Sequence, residues 1–323
     1  MIEPIARLAV KQEFAAVLAP SHFLGDKRTD WLGVDFNSCA ALRAALDREG
    51  GRHIPIDYPI IATYAQLRDP DFRQSIIDGV QSLPIARVWL RVSGFGADAT
   101  GVGIPRYVEF ARAFHRLGIP IIADHVGGIS ALALAAFGAV SGFAHGIEGK
   151  QRFDAGDWLK PSGNGGGSGA KRIYVPGLDR TLAVAELRQF FDETRTARQI
   201  FGCADPTCCG DVDKMLGDPA GHRAVQLSRL VATMSDTPES LRTSQFLEGY
   251  LSDRLKDVRR ATRIKNMNED LRKKIDTSAK RLNLTNDALW GLYERDGDRE
   301  FAVEAKFRLG ARQLELNVEK GLQ

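Results

Sequence analysis

The stretch Ile119-Pro-Ile-Ile-Ala-Asp-His125 decides how the rest of the chain is read. An uncharged run rich in isoleucine follows a glycine and ends on a carboxylate and an imidazole. Such a run fits a strand buried on both faces, as in a parallel sheet covered by helices. Immediately upstream, Pro105 to Leu117 has helical periodicity, with proline where a first turn tolerates it and Gly118 just past the end. Downstream, Ile129 to Phe137 reads as a helix and Val140 to Ala144 as the next strand. The unit is therefore strand, helix, strand.

Working outward, the same alternation runs from residue 14 to about residue 202. The strands expected are Ala15 to Ala19, Ile54 to Ala62, Ala86 to Val92, Pro120 to Ala123, Val140 to Ala144, Arg172 to Val175 and Gln199 to Gly202. The remaining helices are Asn37 to Arg48, Pro70 to Leu83, with Asp69 as its cap, and Leu182 to Ala197. Seven βα-like units predict an α/β chain folded as a TIM-like (β/α)8 barrel, because closing the sheet removes both edges. Leu8 to Val17 is the candidate eighth strand. Without it the barrel is incomplete, and an open doubly wound sheet is the alternative. The barrel is assigned to residues 1–235 and a helical, basic extension to residues 236–323.

Composition agrees with a globular chain. Its 323 residues hold 44 Lys plus Arg, 41 Asp plus Glu, 32 Gly and 13 Pro, with 44% hydrophobic residues, which excludes a wholly disordered or fibrous protein. The first ten residues contain Glu3 and Arg7 and lack the apolar core of a secretory signal. Gly118 to Ile147 is the longest weakly polar stretch, but Asp124, His125 and His145 interrupt it, so no membrane span and a cytoplasmic protein are expected. The run Ser162-Gly-Asn-Gly-Gly-Gly-Ser-Gly-Ala170 reads as a flexible lid or linker, with a phosphate-cradling loop as the alternative.

In a barrel the polar residues that end strands gather at one rim. His22, Asp124, His125 and His145 all follow expected strands, and Thr63, Tyr64, Ser93, Glu148 and Arg152 join them by the same rule. Imidazole beside carboxylate suits general acid/base work or a divalent metal, so Asp124, His125, His145 and His22 are the candidate catalytic residues. The alternative is that each His only caps its strand. Arg91 lies inside an apolar strand and needs a carboxylate partner, either Asp57 or Asp124.

Only four cysteines occur, and three fall within seven residues. Cys203, Cys208 and Cys209 with His222 offer the Cys3His complement of a tetrahedral structural zinc site, with Pro206 fixing the turn between them. The alternative is two buried small thiols and an exposed His, since adjacent cysteines tend to point apart.

A third signal is charge. Residues 254–281 hold eleven basic and four acidic residues, a local charge of +7 against −4 for the rest of the chain. Apolar residues recur at helical steps from Leu251 to Leu282, which predicts one helix about 48 Å long that projects or pairs with Ala302 to Leu316. Arg259, Arg260, Arg263 and Lys273 on it are the candidate contacts to DNA or RNA. No aromatic residue lies between 251 and 289, so contact with the phosphate backbone is expected rather than base stacking. A solvated face laced by pairs such as Glu269 with Lys273 is the other reading.

Taken together, a barrel, a late cysteine knot with a downstream His and a basic surface resemble the tRNA-guanine transglycosylase superfamily. The resemblance spans Gly138 to Leu230. It implies a zinc-bearing TIM barrel, a transferase that exchanges a base in nucleic acid or acts on a nucleotide-like substrate through an aspartate in a Phe-Asp pair. In this chain Phe143-Ala144 stands at the strand end and Phe153-Asp154 follows about ten residues later. A metal-assisted hydrolase is the other enzymatic reading, and a binding module on the same barrel is the alternative to catalysis.

Overall fold

The structure, a computed structural model, describes residues 2–25, 30–99, 101–146, 151–160, 170–265 and 267–321, with side chains, Leu159 apart, as far as residue 297. Helix α1 (Ile2–Lys11) leads into β1 (Val17–Leu18), α2 (Trp31–Arg48), β2 (Ile56–Thr63), α3 (Tyr64–Arg68), α4 (Pro70–Val80) and β3 (Arg87–Ser93). Then come β4 (Phe95–Gly96), α5 (Gly103–Ala113), β5 (Ile121–Asp124), α6 (Gly128–Ala136), β6 (Gly142–Ala144) and β7 (Arg152–Phe153). A hairpin of β8 (Arg172–Val175) and β9 (Arg180–Ala183) precedes the helices α7 (Val184–Glu193), α8 (Arg195–Phe201), α9 (Val212–Gly217), α10 (Pro219–Asp236) and α11 (Glu239–Gln245). A π-helical turn over Phe246–Leu251 joins α11 to α12 (Ser252–Thr262), and α13 (Glu269–Gly321) ends the chain.

Five strands lie parallel in the order β1-β2-β3-β5-β6, each beside its predecessor. Sequential order with crossovers of one hand puts the connecting helices on one face, as in a segment of a barrel and unlike a doubly wound sheet. That face is the core. Tyr58, Ile60, Val88, Leu90, Ile121 and Ala123 are almost fully buried there among α2, α5 and α6. The boundaries follow the expected signals, since Asp69 caps α4 ahead of Pro70 and Gly118 closes the α5 segment with φ +66°, a conformation open to glycine without strain.

The barrel does not close. Among the described residues β1 pairs only with β2, and β6 only with β5. The expected eighth strand, Leu8 to Val17, is mostly α1 and a turn, and only its last residue enters the sheet. Arg172 to Val175 is a strand, but it pairs antiparallel with β9 through a connection of four residues, too short for the crossover a parallel neighbour requires. Gln199 to Gly202 is the end of α8, a four-residue run whose apolar character fits a helix face equally well. The sheet is therefore a half-barrel.

The open face carries the alternate residues of each strand. Asp57 of β2 bonds Arg87 and the Trp89 indole of β3, and Arg91 bonds Asp124 of β5 at 2.7 Å, so the partner left open between Asp57 and Asp124 is Asp124. Its upper part is covered by β7, which pairs with Ser93 and places Phe153 on Ile61 and Phe23.

The long basic helix is also revised. It breaks between Arg263 and Asn268, and α12 folds back on the first turns of α13, where Arg272 caps the carbonyls of Ile264 and Lys265 at 3.2 and 2.8 Å. Its partner is thus the next segment, and Ala302 to Leu316 continues α13 itself. The glycine-rich run 162–169 and Glu148 lie outside the described residues. No helix among those described is long and apolar enough to cross a membrane.

Candidate metal centre

The chain leaves α8 through Gly202 and places Cys203 beside a tight turn built on Asp205. The backbone N–H groups of Cys208, Cys209 and Gly210 all donate to the Asp205 carbonyl, at 3.1, 3.0 and 2.7 Å. Gly210 leaves the turn with φ +77°, a region that a side chain would strain. The Asp205 carboxylate accepts from Thr207 and from Arg229 of α10, and these bonds, Thr207's first, hold its pKa below the usual carboxylate value. This coil brings both neighbouring sulfurs to one side.

The fourth group comes from α10. Asp218 caps that helix by accepting from Gly221 N–H at 2.9 Å, which fixes His222 in the first turn, 8% exposed. Its Nδ1 lies 3.4 Å from the Cys208 sulfur and 3.2 Å from that of Cys209, and the two sulfurs are 3.6 Å apart. The donor atoms of Cys203, Cys208, Cys209 and His222 all fall within 4.8 Å of one another. For metal–sulfur bonds near 2.3 Å and metal–nitrogen bonds near 2.05 Å, a tetrahedron has sulfur–sulfur edges of about 3.8 Å and sulfur–nitrogen edges of about 3.6 Å. The observed separations are close to those edges, so the four residues could hold one metal ion. Burial lowers the His222 pKa and keeps the ring neutral, as a ligand must be. Burial, and then bonds to Cys208 and Cys203, push the Cys209 thiol up to about 12, a proton that a cation would displace. The expectation that Cys208 and Cys209 diverge fails because the turn curls around one carbonyl.

Of the expected rim, Asp124, His125 and His145 end neighbouring strands in register, whereas His22 stands apart. His22, His125 and His145 do follow the C-terminal ends of parallel strands. His22, however, follows β1, three strand spacings or about 14 Å from β5. There its Nδ1 meets Asp35 of α2 at 2.6 Å and its ring stacks on Trp31 at 4.1 Å. Asp35, 1% exposed, is a partner the sequence did not announce. The Asp124 carboxylate is 7% exposed and held by Arg91, and His125, at φ +59°, packs near Phe153. His145 lines a cavity of about 30 Å³ with Tyr174, His222 and Arg223, room for a water or two, and neither Asp124 nor His125 reaches it. Thr63 caps α3, the Tyr64 hydroxyl donates to the Gly103 carbonyl, and Ser93 accepts from Ala155 N–H.

Burial pushes His145 below its ordinary 6.5, and the Gly146 carbonyl only partly offsets this. The unfolded chain therefore takes up this proton at higher pH than the folded one. Its contribution to stability is full above the unfolded value and falls as pH drops toward the folded one. We expect the urea midpoint to fall less between about pH 7 and about pH 5.5 in His145→Gln than in the parent. Equal pH slopes would refute this.

Comparison with family models, with curated proteins and with solved structures finds no match to this chain.

Proposed function

We propose that this chain is a nucleic-acid-binding protein whose helices beyond the half-barrel are clamped by a structural zinc ion, and that it works by binding rather than by turnover. Three sulfurs and one imidazole at tetrahedral separations suit zinc, and a closed set of four protein ligands suits a structural role. The observation that carries the binding reading is the strip formed by Arg259, Arg260 and Arg263. All three are exposed at the C-terminal end of α12 and line one surface depression, and none has a carboxylate partner among the described residues. Other basic residues of the segment are engaged: Arg254 with Asp257, Lys256 with Asp253, Lys273 with Glu269, Lys274 with Glu186 and Arg281 with Asp179. Lys273 is thus set apart from the strip. Binding is favoured over turnover because the rim carboxylate Asp124 is held by Arg91 and the rim imidazole His22 stands three strands away, bonded to Asp35.

The test is a salt titration with duplex and single-stranded DNA and RNA. Replacing Arg259, Arg260 and Arg263 together by Ala is expected to weaken binding to all sequences alike and to lower the salt slope by about one unit per lost contact. Equal affinity of this variant and the parent at low salt would overturn the reading.

A further inference from the structure

A second cationic site lies away from α12. Beyond the C-terminal end of β3, a cleft of about 550 Å³ opens between the β8–β9 hairpin, the segments at Asp98 and Arg152, and α13. Four arginines line it: Arg152, Arg172, Arg180 and Arg281. Two of them are neutralised, Arg152 by Asp98 at 2.6 Å and Arg281 by Asp179 at 2.8 Å. The other two have no carboxylate partner among the described residues. Arg180 donates only to the Ser278 hydroxyl at 3.0 Å, and Arg172 only to the Thr181 carbonyl at 3.4 Å. The lining therefore carries two uncompensated charges.

Position agrees with charge, because barrel-type α/β folds place their ligand sites at the C-terminal ends of the strands. The N-terminus of α6, the usual anion cradle at that end, is already occupied: the Asp179 carboxylate accepts from Ile129 N–H at 3.0 Å. An incoming anion is thus left to the arginines. Burial, and then the charge of Arg281, lower the Arg180 pKa against the opposing pull of the Glu186 and Asp179 charges, and an anion in direct contact would offset both. Two forked guanidiniums suit the oxygens of a phosphate and match a charge of about −2. A cleft in the usual size range of small-molecule sites leaves room for the group that carries it.

We propose that this cleft is a binding site for a phosphate monoester, with Arg172 and Arg180 as its charged contacts. The site does not depend on the α12 strip. The monoester could belong to a free nucleotide-like molecule or to the 5′ end of a nucleic acid strand, and the same two arginines would hold either.

Calorimetry with adenosine 5′-monophosphate, adenosine, and one oligonucleotide with and without its 5′-phosphate separates these cases. The monophosphate should bind and adenosine should not. Arg172→Gln and Arg180→Gln should each weaken the monophosphate by about tenfold, as expected for a lost bond between charged groups. The α12 triple variant should bind it like the parent, so failure here and failure of the nucleic-acid reading are distinguishable. A 5′-phosphate that strengthens oligonucleotide binding beyond that of the monophosphate would support the strand end as its source, and the reverse order the free ligand. Adenosine binding as well as its monophosphate, or an Arg172→Gln/Arg180→Gln double variant binding like the parent, would overturn the proposal. Arg172 is exposed, so its variant reads the contact without disturbing the core.

Discussion

Protein purified without chelator is expected to carry about one zinc ion per chain, and Cys203→Ser to lose most of it together with several kcal/mol of stability. The size follows from the coupling of metal binding to folding: the four donors come from the end of α8, a turn and α10, and without an ion the donors themselves are joined only by weak thiol and imidazole contacts, beside the Arg229–Asp205 pair. The same loss should follow from Cys208→Ser and from Cys209→Ser, because both sulfurs stand from His222 Nδ1 at separations close to those between two ligands of one ion. Elemental analysis and thermal melts with and without chelator check it. Metal-free protein whose melting point ignores chelator would end the zinc reading.

Asp179→Ala should be nearly as damaging, by about 3–5 kcal/mol, because it strands a largely buried arginine. Asp179 is 7% exposed and serves three groups: the amide of Ile129 at the start of α6, the Tyr174 hydroxyl and the Arg281 guanidinium. Removing it leaves all three without that partner. Asp179→Asn should be milder, since asparagine tolerates the left-handed φ of +44° and keeps one acceptor oxygen. Urea unfolding of the two variants and of Asp179→Ala/Arg281→Met would measure the coupling, and the double variant should recover part of the loss. An Ala variant within about 1 kcal/mol of the parent would show the network to be idle.

What the sequence disclosed depended on how local the signal was. β2, β3 and β5 were legible because each is an apolar run bounded by its own stops, and α4 because Asp69 and Pro70 mark its start. The sheet's failure to close was not legible, since Arg172 to Val175 reads alike in a parallel or an antiparallel pair, and only the short connection to β9 decides. The break at Arg263 was hidden because neither Pro nor Gly announces it. The Cys3His cluster is visible because its four residues span only twenty positions. The arginine cleft was invisible for the opposite reason, as it gathers side chains from Asp98 to Arg281. His22 is legible as a strand-end imidazole, yet its partner Asp35 looks like any polar residue on a helix.

The return of α13 onto the half-barrel has a consequence for how the chain is made. Arg281 reaches back to the Ala97 carbonyl at 2.6 Å and Asp296 to Arg112 at 2.8 Å, each closing a loop of 184 residues. At ribosomal speeds of about 5–20 residues per second, about 10–40 s separate the emergence of the two ends of each contact. Once β5, β6 and β7 have followed, the half-barrel is complete in its own strands for the rest of that interval while the flank of α5 faces solvent. The nascent chain therefore passes through a partly covered state, and the emergence of α13 ends its exposure to chaperones and proteases.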